Sequence, residues 1–280
     1  MNSDMDNDNF TIGVVISTYN NPEWLEKTLW SYIGQLHFPD EIIIADDGSD
    51  VRTRDLIDSF RNKLPIKHVW HEDNGFQKSR ILNKALVAAE SDYLIFTDQD
   101  CVARPDFVQV HACSARRGYF VSGGYFKLPM DTSRSLGYYD VESGVAFSLS
   151  WLRKHGVKLN WKCTKLLRCG WFSSLMNLIT PARASWNGCN ASGWREDMIR
   201  INGYNEDMQY GGQDREFGER LVNLGIRPIQ KRYSAIVLHL DHKRPYRTRE
   251  SIDKNRAIRK NTRVHRIVRT PHGIEDISSK

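Results

Sequence analysis

The stretch that decides the fold is TIGVVISTYNNPEWLEKTLWSYI at residues 11–33, followed by EIIIADDGSD at 41–50. The first stretch opens with an apolar run and continues, after Asn21 and Pro22, with apolar residues at helical spacing. Asparagine is a favourable N-cap and proline is tolerated in a first turn, so a helix is predicted to begin here. A buried strand, a helix and a second buried strand are typical of a parallel sheet, because parallel strands need a crossover connection.

Two further β-rich runs continue this pattern, IKHVW at 66–70 and YLIFT at 93–97. Apolar residues at helical spacing over 81–89 predict another helix between them. Runs that are apolar throughout fit strands that are covered on both faces. The sequence therefore predicts an α/β fold with a mainly parallel sheet flanked by helices.

The composition is that of a globular protein. The chain has 280 residues, of which 40% are hydrophobic and 26% charged, enough for one large α/β domain. No apolar run approaches the roughly 18 residues that cross a bilayer, and the start, MNSDMDNDNF, is acidic where a signal peptide is basic. Five cysteines without CxxC spacing favour idle thiols in a reducing compartment. We expect a cytoplasmic protein.

The glycine motifs of two nucleotide-binding classes are absent from the sequence. The turn after the first strand reads STYNNPEW and has no glycine, whereas dinucleotide-binding dehydrogenases need GxGxxG for close approach to a pyrophosphate. The phosphate loop GxxxxGK[ST] is also absent from the sequence. A nicotinamide enzyme and a P-loop NTPase are therefore disfavoured.

Acidic residues follow two of the predicted strands. Asp98 and Asp100 end the fourth strand at spacing i, i+2, and ligands of open α/β sheets gather at such strand ends. Two oxygen ligands there suit Mg²⁺ or Mn²⁺, although a solvated turn is the alternative. Asp46 and Asp47 end the second strand, either as a turn and helix cap or as an acceptor for a base N–H. Tyr19 could stack on the same base.

Three later features have two interpretations each. Cations at the start of the third helix, among them Arg80, suit a phosphate or form a solvated face. Asp214 follows Gly211 and Gly212 at the head of a predicted helix, as a general base or as a cap. His239 and His242 end a strand-like run; a single histidine there either packs or completes a metal site.

Positive charge is concentrated in two blocks. Residues 143–195 contain eight Lys or Arg and no Asp or Glu, and residues 242–270 contain eleven against two acidic residues. We hypothesise that 151–172 and 243–269 face an anionic membrane surface or a lipid-diphosphate acceptor. The alternative is a solvated basic face with a tail packed on the domain. Nucleic acid is the least favoured partner.

The order of these motifs resembles family 2 glycosyltransferases with a GT-A fold. The later stretch WNGCNASGWREDMIRINGYNEDMQYGGQDREFGERL (186–221), with VLHLDH after it, resembles the C-terminal module of β-1,4-galactosyltransferase-type and chondroitin-polymerase-type enzymes. Together the resemblances cover about residues 10–245. The motifs that carry the first resemblance are TIGVVISTYNNPEWLEKTLWS, IIIADDGS, EDNGFQKSRILNKAL and YLIFTDQDC.

The resemblance implies a role for each matching position. It implies Asp214 as the catalytic base, with Gly212 and Gln213 on the acceptor side. The metal, Mn²⁺ or Mg²⁺, would be held by Asp100, Asp98 and His239, with Asp100 as the more direct ligand of the two acids and Asp98 nearer the ribose and sugar. Gln213 departs from the glutamate usual there, so acceptor identity cannot be transferred. The residues implied in donor binding are Ser17, Tyr19, Asp47, Arg80, Asn83, Asp98 and Gly188.

The resemblance also implies an organisation and an activity. A single GT-A domain is expected, with a disordered acidic start (1–9), a nucleotide-sugar-binding half (10–125), an acceptor and catalytic half (126–242) and a basic C-terminal extension (243–280). The implied activity is inverting, metal-dependent transfer of a hexose or N-acetylhexosamine from a UDP-sugar to a saccharide or lipid-linked saccharide in surface polysaccharide synthesis. The enzyme would be cytoplasmic or peripheral on the inner face of the plasma membrane. A non-catalytic sugar-nucleotide or glycan-binding module is the alternative.

Overall fold

The computed structural model describes residues 9–158, 160–242 and 248–275. The acidic start predicted to be disordered (1–9) lies outside these residues except for Asn9. The predicted basic extension (243–280) is described over 248–275. Within the described part of the chain, no helix combines the length and the apolar character needed to cross a bilayer.

The first half of the chain forms the four predicted parallel strands. They lie in the order β3-β2-β1-β4 within the sheet. In this register Ser17 is the partner of Asp98, and Thr18 is the partner of Asp46, so the polar ends of three strands meet at one edge. The strands are β1 (Ile12–Thr18), β2 (Glu41–Asp46), β3 (Ile66–Trp70) and β4 (Tyr93–Asp98).

Helices connect these strands as predicted. The Asn21 side chain accepts a hydrogen bond from the Trp24 amide at 3.4 Å, and Pro22 occupies the first helical position, which confirms the predicted start. Asp50 caps the second helix in the same way through the Arg52 amide. The helices are α1 (Pro22–Ile33), α2 (Val51–Ser59) and α3 (Lys78–Ala88).

The second half extends the same sheet with mixed pairing. The full order is β3-β2-β1-β4-β7-β6-β8-β5, and it joins both halves of the chain in one eight-stranded sheet. β7 lies antiparallel to β4, whereas β6 and β8 pair in parallel. The added strands are β5 (Cys101–Ala103), β6 (Tyr119–Lys127), β7 (Ala191–Trp194) and β8 (Arg227–His239).

Mostly short helices fill the second half, and most of them cover this mixed part of the sheet. Two 3-10 turns, Val145–Phe147 and Trp161–Leu166, lie among them. The helices are α4 (Phe107–Ala112), α5 (Met130–Ser135), α6 (Tyr138–Glu142), α7 (Leu149–Lys154), α8 (Gly170–Ile179), α9 (Arg195–Arg200), α10 (Gln213–Asn223) and α11 (Arg249–Val264).

Apolar side chains pack on both faces of the sheet, as its uninterrupted apolar runs predict. Val15 packs in a cluster with α3 and Phe217 of α10, whereas Ile16 faces the cluster under α1 and α2. Both side chains are completely buried. Burial of one such side chain stabilises the fold by about 1.5–3 kcal/mol, so these two layers fix the strand ends that carry the polar residues.

Part of the second basic block packs on the domain. α11 lies against α10, and its buried side chains are polar: Ser251, Asn255 and Thr262. Arg259 and Glu219 form an ion pair between the two helices at 2.5 Å. Over the residues described, this block therefore follows the packed-tail alternative.

Candidate active site

A cavity of about 1000 Å³ opens at the carboxyl ends of β1, β2 and β4. Ligands of open α/β sheets bind at this edge, because the polar loop residues that follow the strands meet there. Eight residues predicted from the sequence for the site line the cavity: Ser17, Tyr19, Asp47, Asp98, Asp100, Gln213, Asp214 and His239.

Asp98 is held by two neighbours on the cavity wall. The Ser17 hydroxyl donates a hydrogen bond to its carboxylate at 2.6 Å, since the two residues are register partners on β1 and β4. The Lys78 ammonium lies 2.5 Å from the same oxygen. Burial alone would lower the pKa of Lys78, but the carboxylates of Asp98 and Asp214 outweigh it and hold that pKa above its ordinary value. Lys78 is therefore a fixed positive charge between two acids.

Gln99, between the two acids, fixes the loop that follows β1. Its side-chain oxygen accepts hydrogen bonds from the Thr18 hydroxyl at 2.5 Å and the Tyr19 amide at 3.1 Å. Its side-chain amide donates to the Tyr19 carbonyl at 3.2 Å. Gln99 thus ties the position of the exposed Tyr19 ring to the acidic motif. The sequence pattern of two carboxylates does not reveal this role of Gln99.

The acidic pair after β2 divides into two roles. Asp46 is buried and accepts hydrogen bonds from the Ser49 amide at 2.9 Å, which is the turn alternative. Asp47 lines the cavity. Its carboxylate lies 2.7 Å from His71 Nε2 and accepts a hydrogen bond from the Gln77 amide at 3.0 Å. The second residue of the pair is therefore the one that can meet a ligand.

Asp100 is surrounded by imidazoles. His242 Nε2 lies 2.8 Å and His239 Nδ1 lies 3.6 Å from one of its carboxylate oxygens. Burial would raise the pKa of Asp100, but the hydrogen bond from His242 and the charges of both histidines lower it below the usual range. A carboxylate flanked by two imidazoles is a donor set that suits Mn²⁺ or a similar divalent cation.

Cys101 lies beside this cluster, but its side chain is a thiol and not an oxygen or nitrogen donor. The ligand atoms of Asp100, Cys101 and His239 all lie within 4.8 Å of one another. The Cys101 side chain belongs to the apolar cluster under α1, and burial raises the pKa of its thiol. A hard cation would therefore be held by the oxygen and nitrogen donors. His242, which the resemblance did not single out, joins His239 as a candidate ligand.

Asp214 is placed by a left-handed turn at the start of α10. Gly211 and Gly212 have φ values of 111° and 103°, which other residues rarely adopt. One carboxylate oxygen of Asp214 is buried and has no hydrogen-bond partner among the described residues. Burial and the neighbouring Asp98 raise the pKa of Asp214, while Lys78 partly offsets them. A cavity-lining carboxylate with a raised pKa and one oxygen that has no partner in the described part of the chain is suited to accept a proton.

Gly188 lies against this carboxylate. A side-chain carbon at position 188 would collide with both oxygens of Asp214. Its neighbours Asn187 and Cys189 line the cavity. The close approach of the loop before β7 to the head of α10 therefore requires glycine.

Four predicted residues are not among those that line the cavity: Arg80, Asn83, Gly188 and Gly212. Asn83 is buried on the other side of α3, where its amide donates to the Tyr204 carbonyl at 2.9 Å and accepts from the Tyr204 amide at 2.6 Å. Lys78 and Ile81, one turn apart, are the α3 residues that line the cavity. The structure thus brings Lys78 to the acids, where the resemblance points to Arg80.

α11 holds the loop that leads to Asp214. The Asn255 side chain donates to the carbonyls of Gln209 and Gly211 at 2.9 and 3.1 Å. The Ser251 hydroxyl donates to the Tyr210 carbonyl at 3.2 Å. A polar stripe on one face of the helix indicates that this face is packed against polar groups, but the stripe does not identify the loop before Asp214 as the partner.

The chain matches the family model of glycosyl transferase family 2 over residues 13–174 and the model described as the N-terminal domain of galactosyltransferase over residues 179–246. The chain therefore belongs to glycosyl transferase family 2, and the predicted family and class of enzyme are confirmed.

Among curated relatives, validoxylamine A glucosyltransferase of Streptomyces hygroscopicus subsp. limoneus is 30% identical over 77% of this chain and 48% of its own length. Chondroitin synthase of Escherichia coli is 28% identical over 76% of this chain and 32% of its own length. The chain thus spans about half the length, or less, of these relatives.

Solved structures confirm the predicted GT-A fold. Staphylococcus aureus TarS in complex with UDP-GlcNAc superposes with a TM-score of 0.64 at 14% identity, over 95% of this chain and 69% of that one. The mannosyltransferase PcManGT from Pyrobaculum calidifontis, in complex with GDP-Man and Mn²⁺, gives a TM-score of 0.56 at 19% identity, over 86% and 59% of the two chains. At such identities the likeness concerns the fold.

Proposed function

We propose that the chain transfers a hexose or N-acetylhexosamine from a UDP-sugar to a saccharide acceptor, with inversion at the anomeric carbon and with Mn²⁺ or Mg²⁺. One observation carries the proposal: the same cavity is lined by Lys78, Asp98, Asp100 and Asp214, and Lys78 forms an ion pair with Asp98. A cation for a leaving diphosphate and a base for an incoming alcohol are the two groups that this reaction needs.

The nucleotide would bind between Tyr19 and Asp47. Tyr19 is exposed and offers a ring face for stacking, and Asp47 offers carboxylate oxygens to a uracil N–H. Ser17 and Asp98 would face the ribose and sugar. That TarS was solved with UDP-GlcNAc supports a uridine nucleotide.

Asp100, His239 and His242 would hold the divalent cation. When bound, such a cation stabilises the negative charge that develops on the departing diphosphate. Lys78 contributes charge of the same sign from the protein itself. The PcManGT complex with Mn²⁺ supports a divalent ion without deciding which one.

Asp214 would take the proton of the acceptor hydroxyl as its oxygen attacks the anomeric carbon. The leaving diphosphate departs from the opposite face, so a single displacement gives a β-linkage from an α-linked donor. The raised pKa of Asp214 supports this role, since a stronger base assists proton removal more. Gln213 and Gly212 adjoin the base on the acceptor side; glutamine offers both a donor and an acceptor to sugar hydroxyls.

The acceptor would be a saccharide, free or lipid-linked. The reaction would take place in the cytoplasm and would serve the synthesis of a surface polysaccharide. Relatives named as chondroitin and hyaluronan synthases support a polysaccharide product. Gln213 stands where the resembled enzymes usually have glutamate, so their acceptors are not assigned to this chain.

A panel of UDP-hexoses and UDP-N-acetylhexosamines, incubated with the protein and Mn²⁺, tests the proposal by release of UDP. We expect one donor to be hydrolysed faster than the others, and the rate to fall when the metal is chelated. A sugar-nucleotide-binding module, the alternative, would bind a donor without releasing UDP in the presence or absence of any saccharide acceptor. That result would contradict the proposal.

A further inference from the structure

One face of α8 is apolar and exposed. Trp171, Leu175 and Leu178 follow one another at i, i+4 and i+7, and their side chains are 73%, 45% and 82% exposed. Ser173 is the residue of this helix that is buried. A surface helix of a globular protein usually turns its polar side to water. An outward apolar stripe on a ten-residue helix indicates a partner surface.

The helix is anchored on its other side. The Asn177 side-chain amide donates to the Ser234 hydroxyl at 2.8 Å, and its oxygen accepts from the Tyr233 amide at 2.8 Å. Both partners lie on β8, the strand that leads to His239. The apolar stripe is therefore held in a fixed orientation relative to the sheet.

Exposed cations lie in the segment just before the stripe. Trp161 is 68% exposed in the turn before α8, and Lys162 beside it and Arg168 are also exposed. From residue 143 to 195 the chain has eight Lys or Arg and no acidic residue. Because this charge has no acidic counterpart in its own segment, an anionic surface complements it. Exposed tryptophan with basic neighbours is typical of segments that lie in a membrane interface.

This region adjoins the mouth of the cavity. The Lys165 ammonium donates to the Tyr125 carbonyl at 3.4 Å and lies 5.8 Å from the centre of the Tyr125 ring. Tyr125 and Lys127, both on β6, line the cavity. A surface that bound here would lie close to residues that line the cavity.

The second basic block (residues 242–270) differs from this region in its free surface and in its charge. The inner face of α11 is already engaged with the loop before Asp214. Its outer face contains Glu250 and Asp253 among its cations. Charge and apolar exposure coincide on α8 and the turn before it, and this coincidence selects that face.

We propose that α8 and the turn Trp161–Leu166 dock on an anionic lipid bilayer. The apolar stripe would enter the boundary between headgroups and acyl chains, while the neighbouring cations meet lipid phosphates. The proposal goes beyond the glycosyl transfer proposed above, because docking requires neither donor nor acceptor. The docking face consists of Trp161, Lys162, Arg168, Trp171, Leu175 and Leu178.

Co-sedimentation with vesicles tests the proposal. We expect the protein to pellet with vesicles of phosphatidylcholine mixed with phosphatidylglycerol and to stay in solution with phosphatidylcholine alone. The double variant W171S/L178S and the double variant K162E/R168E should each reduce the pelleted fraction at least several-fold. Matched controls are L36S, which removes an exposed leucine far along the chain, and K63E, which reverses an exposed charge near α2; neither should change pelleting.

The unfolding midpoint, measured by circular dichroism without vesicles, shows that each variant is folded, and all these positions lie outside the cavity. Equal and negligible pelleting with both vesicle types would overturn the proposal, and so would equal pelleting with both. Loss of self-association in W171S/L178S, without any vesicle binding by the wild type, would instead identify a second copy of the chain as the occupant. Donor hydrolysis tests the proposed function separately, so failure of one experiment leaves the other interpretable.

Discussion

Gly188 and Asp214 lie so close together that any side chain at position 188 would collide with both oxygens of the carboxylate. The glycine precedes β7 and the aspartate begins the first turn of α10, so two distant segments meet at one point. The proposed base is thereby pressed against the wall of the cavity. The fold thus determines where the Asp214 carboxylate lies in the cavity.

The variant G188A should displace the Asp214 carboxylate and slow transfer. We expect the turnover number to fall about 10²-fold, as follows from a small misplacement of a catalytic group, with UDP affinity nearly unchanged. Steady-state kinetics with the preferred donor and calorimetric UDP binding measure the two effects. G170A is the matched control, because a side chain there meets nothing nearby. Normal turnover in G188A would show that the close approach is unimportant.

Replacement of Lys78 by methionine should act on both neighbouring acids. Without the ammonium, Asp214 loses the charge that offsets its burial, so its pKa should rise further. Activity requires the unprotonated base and is lost as the pH falls through that pKa. The acid limb of the pH–rate profile should therefore move to higher pH, and UDP binding should weaken. K84M, on the same helix but away from the cavity lining, should leave both unchanged.

The pH dependence of stability should report His111. This buried histidine contacts Ser192 at 2.6 Å and Asn190 at 3.0 Å, and burial lowers its pKa from 6.5 to about 4. As the pH falls, His111 therefore becomes protonated in the unfolded chain before it becomes protonated in the folded protein. Stability is fully present above pH 6.5 and is lost as the pH falls towards 4, by about 3 kcal/mol over that window.

Urea unfolding at a series of pH values measures this slope. The variant H111Q should be less stable at neutral pH but should lose the part of the slope that belongs to the imidazole. The exposed His265 provides the comparison, as H265Q should keep the wild-type slope. An unchanged slope in H111Q would assign the pH dependence to other groups.

The variant N255A should loosen the loop that precedes Asp214. The carbonyls of Gln209 and Gly211 lose their donor, which costs about 1–3 kcal/mol where such groups stay buried. We expect turnover to fall more than donor affinity, since the loop carries the proposed base and not the nucleotide wall. The neighbouring exposed Lys254 is the control, and K254A should behave as wild type. Equal losses in turnover and donor affinity would indicate general destabilisation.

The sequence predicted much of the fold, because local patterns carry most of that information. The four parallel strands and the start of α1, with its cap Asn21 and first residue Pro22, follow from apolar runs and turn residues near one another in the chain. Parallel strands then place Asp47 and Asp98 at one edge without further information. These acids line the cavity as their positions at strand ends suggest.

Other features depend on contacts that no local pattern contains. The face of α3 that meets the cavity is decided by its packing, so Lys78 and not Asn83 lies beside Asp98. His242, which follows β8, reaches Asp100, which precedes the neighbouring strand β5. Asn255 reaches Gly211 from a helix that its charge alone suggested was a separate extension. In each case the relevant partner lies far away in the sequence.

The most direct test of the account is the turnover of the variant D214N with its preferred UDP-sugar, Mn²⁺ and a saccharide acceptor. Asparagine keeps the size of the side chain but cannot accept the proton, so turnover should fall about 10²–10⁴-fold. UDP affinity and the unfolding midpoint should stay close to those of the wild type. A variant that transfers sugar at nearly the normal rate would contradict the assignment of Asp214 as the base, and with it the proposed mechanism.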